Sequence, residues 1–445
     1  MVKRGDGQTA QTGRSGVVRS CAVDVASVRS FLRAQDRPRL SWSDGATAIA
    51  ASGAAATVVA SGPDRFESVR REGTAVFDGL SGDRDGPARP RLYGGFAFTD
   101  EHTDPGEAGT WEGYPGAWFL LPAIQLVDTA EGTWLTAVAT GPGAETRAEQ
   151  RLDTAREQLD APATAETTAP KPDVVDREYT PPRSDWQREI AQATDRIAND
   201  GLKKVVLAQA LTVATENAID PAAVLDRLAD SYPDCFRFLF EAETGGTFLG
   251  APPERLVTLS EDTLDTEALA GSIGRGETVE EDEWLASQLR ESAKNNHEHD
   301  IVVDAVLDQL APLTDDITTG ARVVRKLSNV QHLQTPIRGR VNGDPHVLDL
   351  VEALHPTPAV GGLPPAAALR TIRETEVFDR GWYAAPVGWF DAAGAGTFAV
   401  AIRSALTREQ TATLFAGAGI VEDSDPDEEW DELQLKYRPI LDELA

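Results

Sequence analysis

Apolar residues recur along this chain at two spacings. In the first third, short runs of branched and aromatic residues at 56–60, 92–98, 118–127 and 133–139 stand between glycines and prolines, the pattern of β-strands. Residues 145–159 then repeat at helical spacing. The stretch DAPATAETTAPKPDVVDREYTPPRSD has neither period and is rich in Pro, Ala and Thr, which predicts a surface connection over 161–183. At its end Ser184, with Gln187 three residues on, predicts a capping box opening a helix that runs to about Asn199. Beyond it, strands are expected at 204–213, 235–242, 247–259, 382–391, 397–407 and 411–421, and helices at 281–310, 364–376 and 426–444. No internal repeat of 20 to 50 residues stands out. The pattern predicts a large α+β protein with its better-defined elements in the second half.

Charge narrows the function classes. The 445 residues carry 72 acidic against 42 basic side chains, a formal net charge of -30 that repels nucleic acid phosphates and anionic lipid. Arginine outnumbers lysine 35 to seven, and the acidic residues are spread along the whole chain. That composition resembles haloarchaeal cytosolic proteins, whose surface carboxylates keep them hydrated in molar salt, where the Debye length falls to roughly 3 Å. Hydrophobic residues make up 41%, ample for a core. Cys21 and Cys235 are too few and too far apart for a disulfide framework or a cysteine metal site. No run approaches the roughly 18 apolar residues that span a bilayer, and the opening residues lack an export-type apolar segment. A cytoplasmic protein with a disordered tail over 1–20 and one folded unit over 21–445 is expected, without nucleic acid or membrane partners.

Against this background a few residues are candidates for chemistry. Lys203 and Lys204 stand side by side at the head of an apolar strand, where alternation sends one side chain to solvent and the other inward. A desolvated lysine becomes a general base, although a strand-edge lysine also serves solubility. Glu254 follows a Pro-Pro turn among apolar residues, a setting that raises a carboxyl pKa towards general-acid use; an exposed turn glutamate is the alternative. His297 and His299, two apart on a helix, point away from each other and cannot share a zinc ion, which leaves Glu298 between them as the residue of interest. Glu429, Glu432 and Lys436 share a helix stripe, able to hold a hard cation and an anion or simply to face solvent. Gly417 and Gly419 suit either an anion-binding nest or a tight turn. No segment fits a P-loop, a Rossmann fingerprint or HExxH.

The order of these pieces is more informative than any one of them. KVVLAQ, FLGAPPERL, LAGSIGRG, SAKNNHEHDIVVD, HLQTPIRG, LHPTPAVGGLP, VGWFD, FAVAIRSAL, LFAGAGIV and EEWDELQLK, in succession from Lys204 to Lys436, resemble the chorismate-utilising enzymes. RPRLYGGFAFTD and WEGYPGAWFLLPAIQLVD are similar, more loosely, to that family's N-terminal portion. The resemblance implies one α+β domain of two face-packed β-sheets flanked by helices, within which 161–183 is a surface loop between an N-terminal portion (21–160) and a catalytic core portion (184–445).

By the same resemblance the reaction is a magnesium-dependent displacement of the chorismate C4 hydroxyl. Three places select among family members. Lys204 occupies the position of a water-activating base, where ammonia-using members have glutamine. Ala270 in LAGS replaces the nucleophilic lysine of one type of aminodeoxychorismate synthase. LHPTPAVGGLP resembles the isochorismate synthases more than the salicylate or anthranilate synthases. Isochorismate synthesis is expected, for menaquinone or, as the lesser alternative, a catechol siderophore, with no glutamine amidotransferase subunit and a monomeric state. Salicylate synthesis and chorismate binding without turnover are the rival readings. The implied roles are Lys204 as base and Glu254 as acid; Glu298 and Glu432 as Mg2+ ligands with Glu429 nearby; and Gly271, His355, Tyr383, Arg403, Gly417, Gly419 and Lys436 as substrate contacts. Gln209 and Asn295 depart from the family pattern, which commonly has arginine and an acidic residue there.

Overall fold

A computed structural model describes residues 15–24, 27–102, 109–160, 170–327 and 330–445. Its described strands join through hydrogen-bonded pairing into one 21-stranded sheet, accompanied by ten α-helices. The organising strand is Ala117–Thr129, whose AWFLLPAIQLV run is buried almost throughout, as a strand covered on both faces must be. It pairs along its length with Thr47–Ala60 on one edge, and on the other with Arg91–Phe96 and then Gly132–Thr140.

Two arms leave this strand. The first runs through Thr47–Ala60, Arg39–Ser43, Arg237–Glu241, Thr247–Gly250, Ser404–Arg408 and Thr411–Ile420 to Lys204–Thr215. The second runs through Arg91–Phe96, Pro386–Asp391, Gly396–Val400, Arg255–Ser260 and Thr263–Gly274 to Val330–Val341. The two expected sheets are these arms, continuous through one shared strand. Aromatic residues fill the space around them: Trp382 meets Phe240 and Phe248 edge-on, and Trp111 stacks on Phe415 at 5.3 Å.

Several expected elements divide or move. The strand predicted at 247–259 is two, Thr247–Gly250 in the first arm and Arg255–Ser260 in the second, because Pro252 and Pro253 offer no N–H to a ladder. The strand predicted at 397–407 likewise divides into Gly396–Val400 and Ser404–Arg408, with Arg403 between them at φ 50°. The chain thus crosses between arms at both places. The helix predicted at 281–310 is broken at Ser292, whose side chain caps Ala293–Leu310 by accepting from the Asn295 N–H.

Gly16–Val23 is a strand paired with Gly132–Thr140, so the tail expected over 1–20 does not extend into these residues; 1–14 lie outside the described residues. Val174–Thr180, within the expected surface connection, is an exposed edge strand on Lys204–Thr215. Its VVDREYT sequence does not alternate because neither face is fully buried, and 161–169 lie outside the described residues. The following helix, Arg183–Asn199, starts one residue before Ser184 with Pro182 as its cap. Ser184 therefore sits in the first turn and forms no capping box.

Candidate active site

A cavity of about 360 Å³ opens between the far ends of the two arms, within the range of small-molecule sites. Lys204 enters from the first arm. It is buried and Lys203 is exposed, so the two face opposite ways as strand alternation predicts, and Lys204 is the inward one. Its Nζ donates to Glu298 Oε1 at 2.7 Å, an ion pair between residues 94 apart in the chain. Glu298 comes from Ala293–Leu310, whose other face buries His299 between the Ala270 carbonyl and Thr335 Oγ1; His297 is exposed.

Glu254 lies at the first crossing between arms and is 7% exposed. Burial, reinforced by the nearby charge of Glu267, pushes its carboxyl up to about 8, while Lys204, Arg403 and Lys436 pull the other way. It is therefore a protonated acid at neutral pH. Arg403, at the second crossing, is held in the left-handed region at φ 50°, a conformation that non-glycine residues adopt rarely and mostly at functional positions. Its Nη2 meets His332 Nε2 at 3.3 Å, and its buried Nη1 has no oxygen or nitrogen partner, which leaves a donor for an anion. Tyr383 is stacked on Phe415 at 5.3 Å, and burial raises its phenol, so it stays a neutral donor.

The helix Pro426–Leu441 brings Glu429, Glu432 and Lys436 to the same cavity. Lys436 Nζ donates to Glu432 Oε1 and to the Gly417 carbonyl, both at 2.7 Å. Lys436 holds the Glu432 carboxyl below its usual range despite burial. Burial and the Glu432 charge push Glu429 up to about 7, and its Oε2 is buried without a hydrogen-bond partner. An orphaned carboxyl oxygen near the Glu432 charge is a donor that a hard divalent cation would satisfy. Among the described residues no three acidic, His or Cys side chains form a ready-made metal cage. That arrangement fits Mg2+, which takes one or two protein carboxylates and completes its shell with water and substrate oxygen.

The glycines act sterically. Gly417 and Gly419 lie inside the ladder opposite Ala208 and Val206, so they form neither a nest nor a tight turn. A Cβ at Gly417 would stand 3.1 Å from the Tyr383 hydroxyl, and one at Gly419 would stand 3.0 Å from Lys204 Cε. Gly419→Ala is accordingly expected to fold, since a flexible lysine end can give way, yet to lower kcat about ten-fold by displacing the amine. Steady-state kinetics beside a thermal melt checks both halves. Gly271 sits at φ 73° in the bulge between Ala270 and Ser272, with Asn295 Cβ 3.2 Å from where its own Cβ would be.

One expected contact is not among these residues. His355 is absent from the cavity lining; its Nε2 is hydrogen-bonded to the Phe98 carbonyl at 3.0 Å, its ring packs edge-on against Phe98, and burial lowers it to about 3. Ala359 and Val360, from the same LHPTPAVGG segment, line the cavity instead. Gln209 also points elsewhere, donating to the Pro181 carbonyl at 2.8 Å, so its departure from the family pattern leaves the cavity unchanged. Asn295 does line it.

The polar lining residues that local sequence does not single out include His332, Lys294 and Arg380. Arg380 is ion-paired with Glu376 and donates to the Val206 and Val360 carbonyls at 2.7 and 2.9 Å, tying the Lys204 strand to the Thr357–Gly361 turn. The quoted segment HLQTPIRG contained His332, but nothing in its local pattern separates a cavity histidine from a core one.

Comparison with known proteins identifies the family of the whole chain. The sequence model of the family described as chorismate binding enzyme matches residues 8–445. The isochorismate synthase MenF of Bacillus subtilis (strain 168) is 40% identical over 362 residues, 80% of this chain and 75% of that one. The salicylate biosynthesis isochorismate synthase of Pseudomonas aeruginosa is 36% identical over 414 residues, 92% and 85% of the two chains. The solved structure of MenF, the menaquinone-specific isochorismate synthase from Escherichia coli, superposes with a TM-score of 0.80 at 25% identity, covering 99% of this chain and 97% of that one. With the family match over residues 8–445, the sequence identities and the fold in agreement, the chain belongs to the chorismate binding enzyme family.

Proposed function

We propose that this chain is an isochorismate synthase, an isomerase that interconverts chorismate and isochorismate. The observation that carries the reading is one cavity lined by both a buried lysine and a buried carboxyl that is protonated at neutral pH. A base and an acid held in these states do work that binding alone does not need. Lys204 takes a proton from the water that attacks C2 as the ring double bonds shift. Glu254 gives its proton to the departing C4 hydroxyl, which leaves as water. One water enters and one leaves, so the reaction is a reversible isomerisation and the enolpyruvyl group stays attached.

Arg403, Tyr383 and Lys436 supply donors for the substrate carboxylates, which this strongly acidic protein must neutralise locally. Mg2+ held by Glu298 and Glu432, with Glu429 nearby, would supply charge neutralisation at the ring carboxylate. Lys204 is paired to one of those carboxylates, which places the amine beside the residues that would hold the cation. The menaquinone-specific title of the Escherichia coli MenF structure supports menaquinone biosynthesis as the pathway, and the Pseudomonas aeruginosa relative, named for salicylate biosynthesis, keeps the siderophore-type route as the alternative. A single folded unit, a monomer without an amidotransferase subunit, a cytoplasmic location and a molar-salt habitat complete the proposal. No helix among the described residues is long and apolar enough to cross a membrane.

The test is to incubate the purified protein with chorismate and Mg2+ in molar KCl, separate the products by chromatography and assay pyruvate. Isochorismate in equilibrium with chorismate, without pyruvate, is the expected result. Salicylate with equimolar pyruvate would make the chain a salicylate synthase, and binding without turnover would make it a chorismate sensor. In the same assay Glu298→Ala is expected to abolish Mg2+-dependent turnover; an unchanged magnesium titration would remove Glu298 from the ligand set.

A further inference from the structure

Glu254 is held by its backbone, and the groups that hold it stand outside the cavity lining. Glu267, on the strand Thr263–Gly274, accepts through Oε1 from the Arg255 N–H at 3.3 Å and from Arg325 Nη1 at 3.0 Å. The same Arg325 Nη1 donates to the Pro253 carbonyl at 3.0 Å, and its Nη2 donates to the Asp234 carbonyl at 3.1 Å. Gln334 Nε2 donates to the other Glu267 oxygen. The peptide groups immediately before and after Glu254 are thus tied to a single ion pair, whose side chains are 11% and 21% exposed. The Glu254 carbonyl itself accepts from the Val400 N–H at 3.1 Å. Neither proline before Glu254 has an N–H to give, so this crossing lacks the ladder that fixes an ordinary strand residue, and the ion pair takes its place.

We propose that Glu267 and Arg325 are positioning residues for Glu254, gripping the peptide groups on both sides of it and setting the field in which its carboxyl works. The inference rests on the reading of Glu254 as the acid. The charged groups around that carboxyl are Glu267, which favours its protonated form, and Lys204, Arg403 and Lys436, which oppose it; Tyr383 also faces it. Glu267 is thus the negative charge that offsets three cations drawn together for an anionic substrate. Without it, an acid surrounded by those cations ionises at lower pH and can no longer deliver its proton.

Glu267→Gln keeps an acceptor for the Arg255 N–H and Arg325 while removing the charge. It is expected to move the Glu254 titration roughly one pH unit lower, read directly from the protonated carboxyl stretch in infrared difference spectra against Glu254→Gln. The alkaline limb of the kcat profile is expected to move with it, with kcat below that limb staying within a few-fold of the parent. Arg325→Met is expected to lower kcat on the order of ten-fold at little-changed KM, with partial recovery in Arg325→Lys. A Glu254 titration unmoved in Glu267→Gln, or an Arg325→Met enzyme with parental kcat, overturns the proposal. A fully active Glu254→Gln enzyme overturns instead the reading of Glu254 as the acid, and the infrared titration still decides whether Glu267 governs that carboxyl.

Discussion

Lys204→Ala is expected to lower kcat for isochorismate formation by about 10³-fold, some 4 kcal/mol of transition-state stabilisation, while chorismate still binds. The substitution removes the only lysine on the strand that faces the cavity; its neighbour Lys203 points to solvent and cannot replace it. It also leaves Glu298 without its 2.7 Å partner, and Glu298 is only partly buried, so water satisfies it and the fold survives. Lys204→Arg is expected to be nearly as inactive, because a guanidinium stays charged throughout the working pH range and cannot accept the proton. Chromatographic product analysis together with calorimetric binding of chorismate separates lost chemistry from lost binding. An alanine variant as active as the parent would end the assignment of the base.

Glu254→Gln is expected to cost about 10²- to 10³-fold in kcat and, more diagnostically, to erase the alkaline limb of the pH profile. The sign follows from the state of the carboxyl. Burial and Glu267 hold it up to about 8, so the proton-donating form predominates at neutral pH and is lost as the pH rises through that value. The parent should therefore lose activity above about pH 8, whereas an acid left at its ordinary value would lose it near the usual carboxylate range. A glutamine neither titrates nor donates a proton to a leaving hydroxyl, so residual activity in the variant should be flat across this interval. A profile of kcat from pH 6 to pH 10 for the two proteins is the measurement, and a parental limb surviving in Glu254→Gln would reassign it to another group.

Local pattern marks Lys204, Glu254, Glu298 and the Glu429–Glu432–Lys436 stripe as candidates, each beside a structural alternative, whereas Gly271, Tyr383 and Arg403 stand out only through the family resemblance. Strand alternation sends Lys203 and Lys204 opposite ways without saying which is inward, and helical spacing puts Glu429, Glu432 and Lys436 on one stripe. The separation of His297 from His299 is fixed by the same helical geometry. The α+β class and the main strands of the first arm follow from period and punctuation.

What the linear pattern does not contain is the point where a strand changes partner. The runs at 247–259 and 397–407 read as single strands because their apolar content is continuous, yet each passes from one arm to the other. Glu254 and Arg403 owe their positions to those crossings, which strands far away in the chain determine. The same holds for His355, turned to the Phe98 carbonyl 257 residues away, and for Gly417 and Gly419, whose service is to leave room beside Tyr383 and Lys204. It holds most for Glu267 and Arg325, polar residues on ordinary strands that meet Glu254 only through pairing at separations of tens of residues. Local sequence thus determined which residue types are able to do acid–base and ligand chemistry and, within one strand or helix, which of them share a face. Tertiary structure alone decided which of them meet, because strand register and arm crossing are set by burial and backbone hydrogen bonding summed over the whole sheet.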